Sequence, residues 1–379
     1  MRLLELQNET DSLQACAAIG RSVADSNLRG WAALLPLDPP ALAEGLRHCG
    51  LPVLRGEKAA LALGSIAQIW SAARSLAESV DRYKARTLAL ELRNRAAHLD
   101  ASRPRWELPR SQLPKDRTLV MGVVNVTPDS FSDGGRFFSL EKAVEHALVL
   151  AEQGADILDI GGESSRPGAE PIGASEERER VEPVVRELAR RVKVPLSIDT
   201  SKSDVARAAL DAGAEIVNDV SGLARDPQMG EAVKGAAVCL MHMRGTPEQM
   251  QAKATYSDLL DEVQRELIEA LERASAAGIA EERIALDPGL GFAKTGEHNL
   301  LLLRRLRELT QLGRPLVVGA SRKSFIGTAT GRSAPERLFG SVAASALAAS
   351  SGAAVLRVHD VAATREALAV ADAIRTSTA

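Results

Sequence analysis

Four polar side chains of the sequence have the chemistry to bind a nitrogen heterocycle. Asp199 and Asp287 carry carboxylates, and Asn218 carries an amide. Lys323 adds an ammonium group. A carboxylate accepts two parallel N–H donors, and a lysine donates to a ring oxygen or nitrogen. The set favours a ligand with a guanidine-like edge, such as a pterin.

A second set of side chains suits a phosphate ligand. Arg357, His359 and Arg166 are cations that match phosphate oxygens, and Asn125 is a neutral oxygen ligand for a Mg²⁺ ion held mostly by water and phosphate. Alternation along an extended segment places Arg357 and His359 on the same side. Ser324 begins a predicted helix whose free backbone N–H groups could hold a carboxylate. These residues predict a bound diphosphate with Mg²⁺.

These side chains need elements that bring them together, and the sequence from residue 118 onward predicts such a set. Continuously apolar runs, typical of parallel strands covered on both faces, alternate with helical segments. The predicted strands are 119–126, 157–161, 195–199, 215–219, 236–241, 283–287, 315–319 and 353–358, and the helices are 140–153, 175–191, 203–211, 227–233, 258–277, 298–311, 335–350 and 362–375. Eight βα units predict an α/β fold, the (β/α)8 TIM barrel, with a doubly wound open sheet as the alternative.

Polar residues follow every predicted strand. A single Asp or Asn after a strand often only caps the next helix, but eight polar strand ends favour a ligand site at the rim where barrel enzymes place their chemistry. Two positions stay open. His242 is a pocket wall or a catalytic group, and Glu163 is a general base or a carboxylate bound by nearby backbone N–H groups.

The first 116 residues differ from the rest of the chain. They are rich in Ala, Leu and Arg, and residues 59–97 contain no proline and mostly good helix formers. Three X-Pro pairs then interrupt the pattern before residue 117. We predict a smaller, helix-rich N-terminal domain at 1–116 that ends in a Pro/Arg-rich linker, and a barrel at 117–379. The residues of the N-terminal region indicate no chemistry.

Composition limits the function classes. The 47 basic and 50 acidic residues give a net charge of -3, which argues against a nucleic-acid binder. The apolar stretch 338–356 is built of Ala, Ser and Gly, so it predicts a buried helix and strand rather than a membrane span. Three widely spaced cysteines, Cys16, Cys49 and Cys239, and acidic residues near the N-terminus favour a cytoplasmic protein without a signal peptide.

The motifs at the strand ends resemble those of the dihydropteroate synthase family, over residues 118–379. The matching motifs include NVTPDSFSDGG (125–135), GGESSRPG (161–168), GASRKSF (319–325) and RVHD (357–360). The resemblance implies the condensation of 6-hydroxymethyl-7,8-dihydropterin diphosphate with p-aminobenzoate, in folate biosynthesis, with release of diphosphate. It also implies a requirement for Mg²⁺, a homodimer and a sulfonamide target.

The same resemblance assigns roles to single residues. The pterin pocket comprises Asp199, Asn218, Asp287 and Lys323, with Met241 and Phe292 as walls. Diphosphate is assigned to Asn125, Arg357 and His359, with Asn125 also as the metal ligand and Asp129 in the first loop. The p-aminobenzoate site is assigned to Phe131, Ser165, Arg166, Pro167 and Ser324. The implied catalytic residues are Lys323, Arg357, His359 and Asp129.

Two positions depart from the family pattern. Ser165 stands where Thr is more frequent, and it keeps the hydroxyl group. Ala293 stands in place of a glycine, and we expect an ordinary backbone conformation there. Two other functions remain open: a pterin-binding methyltransferase, which should not need GGESSRPG or RVHD, and a degenerate barrel that serves as a scaffold.

Overall fold

The structure is a computed structural model that describes residues 1–6, 15, 30–57, 59–79, 83–100, 104–126, 136–164 and 170–377. It divides into two compact units. One comprises Met1–Ser102 with Arg307–Gly313, and the other comprises Arg103–Leu306 with Arg314–Ala379. In the described part of the chain, no helix combines the length and the apolar composition that a membrane span requires.

The first unit contains a four-stranded antiparallel sheet and three described helices. The strands are β1 (Arg2–Leu6), β2 (Gly30–Pro36), β3 (Val53–Arg55) and β4 (Ala59–Gly64), in the order β1-β2-β4-β3. The helices are α1 (Pro40–His48), α2 (Ile66–Ser79) and α3 (Tyr83–Asp100). The sequence predicted helix from residue 59, and this was wrong for 59–64. That run, AALALG, forms β4 because its apolar side chains are buried on both faces of the sheet.

The second unit is a parallel β-barrel. Its strands are β5 (Leu119–Asn125), β6 (Ile157–Gly161), β7 (Leu196–Asp199), β8 (Ile216–Asp219), β9 (Ala237–Met241), β10 (Ile284–Asp287), β11 (Val317–Val318) and β12 (Val355–Val358). Neighbours pair in the order β10-β9-β8-β7-β6-β5-β12-β11. A parallel bridge between Leu286 and Leu316 joins the two ends. The predicted (β/α)8 architecture is therefore confirmed, and the open-sheet alternative is wrong.

Helices follow the barrel strands. They are α4 (Arg136–Glu152), α5 (Ala174–Arg191), α6 (Ser203–Ala212), α7 (Met229–Ala232), α8 (Leu259–Ala276), α9 (Gly296–Arg304), α10 (Leu306–Leu309), α11 (Ser324–Thr330), α12 (Leu338–Ser350) and α13 (Val361–Thr376). The segment after β11 holds two helices, one beginning at Ser324 and one within the predicted range 335–350. Gly331 takes a left-handed conformation (φ 71°) and ends the first of them, α11.

The segment before β5 packs into the barrel unit. Trp106 is 5% exposed and Leu113 is 9% exposed, and both join the apolar cluster at the N-terminal ends of the barrel strands. The indole Nε1 of Trp106 also donates to the carbonyl of Arg283 at 2.9 Å. Residues 103–116 were predicted as a linker at the end of the N-terminal domain. The structure differs because two large apolar side chains between the prolines find a buried site.

Candidate active site

The inner face of the barrel changes from apolar to polar along several of its strands. Side chains alternate between the two faces of a strand, so residues two apart point the same way. Ile157, Ile216 and Ala285 belong to the apolar cluster inside the barrel. The residues two positions further on are Asp159, Asn218 and Asp287, and the same two-residue spacing leads from Cys239 to Met241 and from Val355 to Arg357. The polar layer is therefore a direct product of strand periodicity.

Arg357 connects three strands at this layer. Its Nε donates to Asp159 Oδ2 at 2.6 Å, and its second nitrogen Nη2 donates to Asp199 Oδ2 at 2.7 Å. Asn218 Nδ2 donates to the same Asp159 oxygen at 3.2 Å. Arg357 was predicted to bind diphosphate, whereas the structure places it between two carboxylates on the floor of the site. Burial opposes ionisation of Arg357, but Asp159 and Asp199 outweigh it and raise its pKa.

Asp159 was not among the predicted site residues. It is fully buried, and its Oδ1 has no hydrogen-bond partner among the described residues. A signal was available, because an aspartate inside the otherwise apolar run ILDIG must either find a partner or bind a ligand. For this strand only the motif that begins at Gly161 was predicted to form the site, so the charge two positions before it was missed.

Asp199 lies at the end of β7 with its side chain 11% exposed. Burial raises its pKa, the charge of Arg357 lowers it and the nearby Asp159 raises it, and together they bring it to about 7. A carboxylate in this state is close to the balance point between its charged and neutral forms near neutral pH. Gly161 lies opposite Asp199 on the neighbouring strand β6. A Cβ atom added at this glycine would lie 3.6 Å from Cβ of Asp199.

Lys323 forms the opposite side of the site. Its Nζ lies 4.7 Å from the centroid of the Phe292 ring and donates to the carbonyl of Leu290. Burial lowers the pKa of Lys323 to about 8, although the charge of Asp287 acts in the opposite direction. Asp287 is 6% exposed, and its Oδ1 accepts from Gly289 N at 2.7 Å. Burial raises the pKa of Asp287 while Lys323 lowers it, so the two groups respond to each other's charge.

The loop after β10 has an unusual backbone. Gly289, Gly291 and Ala293 have φ values of 67°, 82° and 49°. The expectation of an ordinary conformation at Ala293 was therefore wrong. An alanine pays a steric cost in the left-handed region that glycine does not, because its Cβ approaches the following carbonyl. The surrounding contacts hold it there: Ala293 is fully buried, and its carbonyl accepts from the Tyr256 hydroxyl at 3.0 Å.

The remaining described candidates lie at the rim. His359 directly follows β12, and its Nδ1 lies 3.0 Å from the hydroxyl of Ser321. Ser324 is exposed and is the first residue of α11, as predicted. Asn125 ends β5 and is partly exposed. Asp129, Phe131, Ser165, Arg166 and Pro167 lie outside the described residues.

Residues 121–359 match the family model of pterin binding enzymes. Dihydropteroate synthase of Synechocystis sp. is 48% identical over 261 residues, which are 68% of this chain and 90% of the relative. The synthase of Escherichia coli is 49% identical over 255 residues, 67% of this chain and 90% of the relative.

Solved structures give the same result. The Yersinia pestis dihydropteroate synthase in a sulfonamide complex has a TM-score of 0.68 and 45% identity, covering 72% of this chain and 99% of that one. The Xanthomonas albilineans synthase with 4-aminobenzoic acid has a TM-score of 0.66 and 50% identity, covering 69% and 95%. The chain is thus a pterin-binding barrel enzyme. It belongs to the dihydropteroate synthase family, which favours a synthase over the methyltransferase and scaffold alternatives.

Proposed function

We propose that the polar layer of the barrel binds 6-hydroxymethyl-7,8-dihydropterin diphosphate and joins it to p-aminobenzoate, giving 7,8-dihydropteroate and diphosphate. The observation that carries this proposal is the convergence of Asp199, Asn218 and Asp287 with Lys323 at one end of the barrel. Two carboxylates and an amide accept and donate along the edge of a heterocycle. The lysine adds a donor for a ring oxygen or nitrogen.

The pterin ring fits the apolar and aromatic groups around this polar set. Phe292 lies beside Lys323, and Met241 is 5% exposed at the end of β9. Both would pack on the faces of a flat ring. Gly319 lies next to the floor of the site. A Cβ atom added at this glycine would lie 3.9 Å from both Arg357 Cβ and Lys323 Nζ. A side chain at 319 would enter the space that the ring needs.

Bond breaking at the exocyclic CH₂ leaves negative charge on diphosphate and positive charge shared with the electron-rich pterin ring. His359 at the rim would stabilise the departing oxygens, and the carboxylates of Asp199 and Asp287 would stabilise the cationic ring. Arg357 is already paired with two carboxylates, so its role is to fix their orientation while its remaining N–H groups face the ligand. The arylamine of p-aminobenzoate is neutral near pH 7, so its attack needs no strong general base.

We also propose a Mg²⁺ requirement, with Asn125 as the protein ligand. No cluster of three metal-ligating His, Cys, Asp or Glu side chains exists among the described residues, which fits an ion held mainly by water and phosphate. The amide oxygen of Asn125 at the end of β5 is a suitable single donor. When bound, Mg²⁺ would neutralise diphosphate and make it a better leaving group.

For p-aminobenzoate we propose a site at Ser324 and the first two loops, with Phe131, Ser165, Arg166 and Pro167. The order of the chemistry favours this position, because the amine must approach the CH₂ from the rim after the pterin is bound. Ser324 follows Lys323 directly in sequence and is exposed at that rim. Arg166 would pair with the carboxylate of the substrate.

A homodimer is proposed from the barrel surface. Phe339 and Leu347 on α12 are 84% and 68% exposed, and Val370 and Ile374 on the neighbouring α13 are 58% and 71% exposed. A second copy of the chain would bury this apolar face. We further propose a cytoplasmic location, since Cys49 and Cys239 are free thiols. Fractionation of the source cells would test the location.

The reaction is tested by diphosphate release from the pterin diphosphate with Mg²⁺, in the presence and absence of p-aminobenzoate. We expect release that depends on p-aminobenzoate and yields 7,8-dihydropteroate. Addition of a chelator should abolish turnover, and added Mg²⁺ should restore it. Diphosphate release that is independent of p-aminobenzoate would contradict the proposal.

A further inference from the structure

The loop that carries Phe292 is held by side chains from several elements. Each carbonyl from residue 290 to 293 accepts a side-chain donor: Leu290 from Lys323, Gly291 from Gln251 at 3.3 Å, Phe292 from Lys294 at 3.0 Å and Ala293 from Tyr256 at 3.0 Å. The loop has three left-handed residues, and no backbone N–H in the described part of the chain donates to these carbonyls. The side chains therefore determine where the ring of Phe292 lies.

Lys294 is unusual among these anchors because it is a lysine that is 3% exposed. Its Nζ lies 2.9 Å from Nδ1 of His242, which is also 3% exposed. Burial lowers the pKa of Lys294 to about 7, and its ammonium form donates only, so in that form Nδ1 accepts and the proton of the imidazole resides on Nε2. That Nε2 lies 3.0 Å from Glu266 Oε2, an electrostatic contact in which the ring N–H is not directed at the oxygen closely enough for a hydrogen bond. The three residues form a chain from the loop to helix α8.

The chain continues to the surface through one arginine. Arg244 pairs with Glu262 at 2.7 Å and with Glu266, and its guanidinium lies 4.0 Å over the ring of Tyr256. Burial alone would raise the pKa of Glu266, but the adjacent His242 and Arg244 outweigh it and lower that pKa to about 2. Burial lowers the pKa of His242 to about 4, so its ring is neutral in this chain of contacts. The ionised carboxylate of Glu266 thus contacts both His242 and Arg244.

An apolar side chain would fill the site of Lys294 at lower electrostatic cost. Replacement of buried charges by apolar groups of similar volume is often neutral or stabilising for the fold. Stability alone therefore gives no reason for an ammonium group here. Its two contacts give one, because they fix the carbonyl of Phe292 relative to His242, which itself follows the strand of Met241.

We propose that Lys294 is a positioning residue for the pterin site. It acts through the carbonyl of Phe292 and is held in turn by His242 and Glu266. It touches no reacting atom. The inference rests on the proposed pterin pocket, since it assigns Phe292 and Met241 as the walls whose separation Lys294 sets.

The test is the Lys294→Met variant, which keeps the length of the side chain and removes its donors. Calorimetric titration with 6-hydroxymethylpterin should show about tenfold weaker binding, because a wall displaced by a fraction of an ångström loses contact with the ring. The KM for the pterin diphosphate should rise in the same proportion. The KM for p-aminobenzoate and kcat should each stay within about threefold, since the reacting groups are unchanged. The thermal midpoint should move by no more than about 3 °C.

Tyr256→Phe is the matched control. It removes a hydrogen bond to the next carbonyl of the same loop without removing a charge, and binding should change by less than about twofold. Pterin affinity within about twofold of wild type in folded Lys294→Met would overturn the proposal. An equal loss of pterin affinity in Tyr256→Phe would also overturn the proposal, because removal of any hydrogen bond to the loop would then have the same effect as removal of Lys294.

Two further variants keep the result decisive. If Lys294→Met does not fold, Glu266→Gln replaces it: loss of the carboxylate weakens the hold of His242 on Lys294, so pterin binding should fall about threefold, and unchanged binding would overturn the proposal. Asp287→Asn tests the pocket itself. Retained affinity in Asp287→Asn means that the pterin pocket is assigned wrongly, whereas lost affinity there with retained affinity in Lys294→Met means that only the positioning role fails.

Discussion

Nε of Arg357 donates to Oδ2 of Asp159 at 2.6 Å across the barrel, and this contact sets the orientation of the whole guanidinium group. With Nε fixed, the nitrogen Nη2 reaches Asp199 at 2.7 Å. Arg357 is thus held at two points, as rigid recognition of a planar ligand requires. Asp159 contributes to the site without lying at its rim.

Removal of the Asp159 carboxylate should therefore damage both the fold and the pocket. Asp159→Ala leaves Arg357 with one partner, and loss of one member of a buried ion pair costs about 3 kcal/mol of unfolding free energy. We expect pterin affinity to fall by at least about tenfold, because Arg357 is then free to turn toward Asp199. Denaturant unfolding and calorimetry measure the two effects.

Asp159→Asn is the control for that change. It retains an oxygen that accepts from Arg357 and should lose less of both quantities than the alanine variant. Equal stability and affinity in Asp159→Ala and the wild-type protein would show that Arg357 is oriented by Asp199 alone.

The pH dependence of catalysis follows from two groups of the pocket. Binding needs Asp199 ionised and Lys323 protonated, and their pKa values are about 7 and about 8. As pH rises through the first value Asp199 gains its charge, and as pH rises through the second Lys323 loses its own. We expect a narrow bell-shaped profile of kcat/KM for the pterin diphosphate. Steady-state rates across this range measure it.

The variant Lys323→Arg separates enzyme from substrate titration. Its guanidinium stays charged at all accessible pH values, so the alkaline fall should disappear even if overall activity is lower. An alkaline fall of the same shape in both proteins would assign it to the substrate or to another group.

The sequence was sufficient for the barrel and for most of the described pocket residues. Eight apolar runs with polar ends fix the strands, and strand periodicity places Asp199, Asn218 and Asp287 on one inner layer. It was insufficient where partners come from distant strands. The pairing of Arg357 with Asp159 joins residues 198 positions apart, and the contact of Lys294 with His242 joins residues 52 apart. No local pattern encodes such distances.

Backbone conformation at Ala293 gives a third prediction. Its φ of 49° is unfavourable for alanine, and Ala293→Gly removes the strain at the cost of a more flexible unfolded chain. The net effect should be a gain of about 0.5 kcal/mol in unfolding free energy. Ala369→Gly, in the middle of helix α13, should instead lower stability by about 1 kcal/mol. Destabilisation by both substitutions would contradict the left-handed conformation at 293.

The apolar face of α12 and α13 gives a fourth prediction. The double variant Phe339→Glu with Leu347→Glu places charges where the proposed partner copy would pack, and burial of unpaired charges opposes association. Sedimentation velocity should show a dimer for the wild-type protein and a monomer for the variant. Leu300→Glu, on helix α9, is the control, because Leu300 is 50% exposed on a different helix and its substitution should leave the dimer intact. A wild-type monomer would contradict the proposed dimer.

The segment before the barrel gives the last prediction. Trp106 is buried in the apolar cluster at the N-terminal ends of the barrel strands. Trp106→Ala should therefore lower the free energy of unfolding of the barrel by about 3 kcal/mol. Trp106→Phe keeps most of the apolar contact and loses only the hydrogen bond to Arg283, which should cost about 1 kcal/mol. Urea unfolding followed by far-ultraviolet circular dichroism distinguishes the two. If Trp106→Ala unfolded at the wild-type urea concentration, residues 103–116 would act as the linker that their prolines predict, and the barrel would close without them.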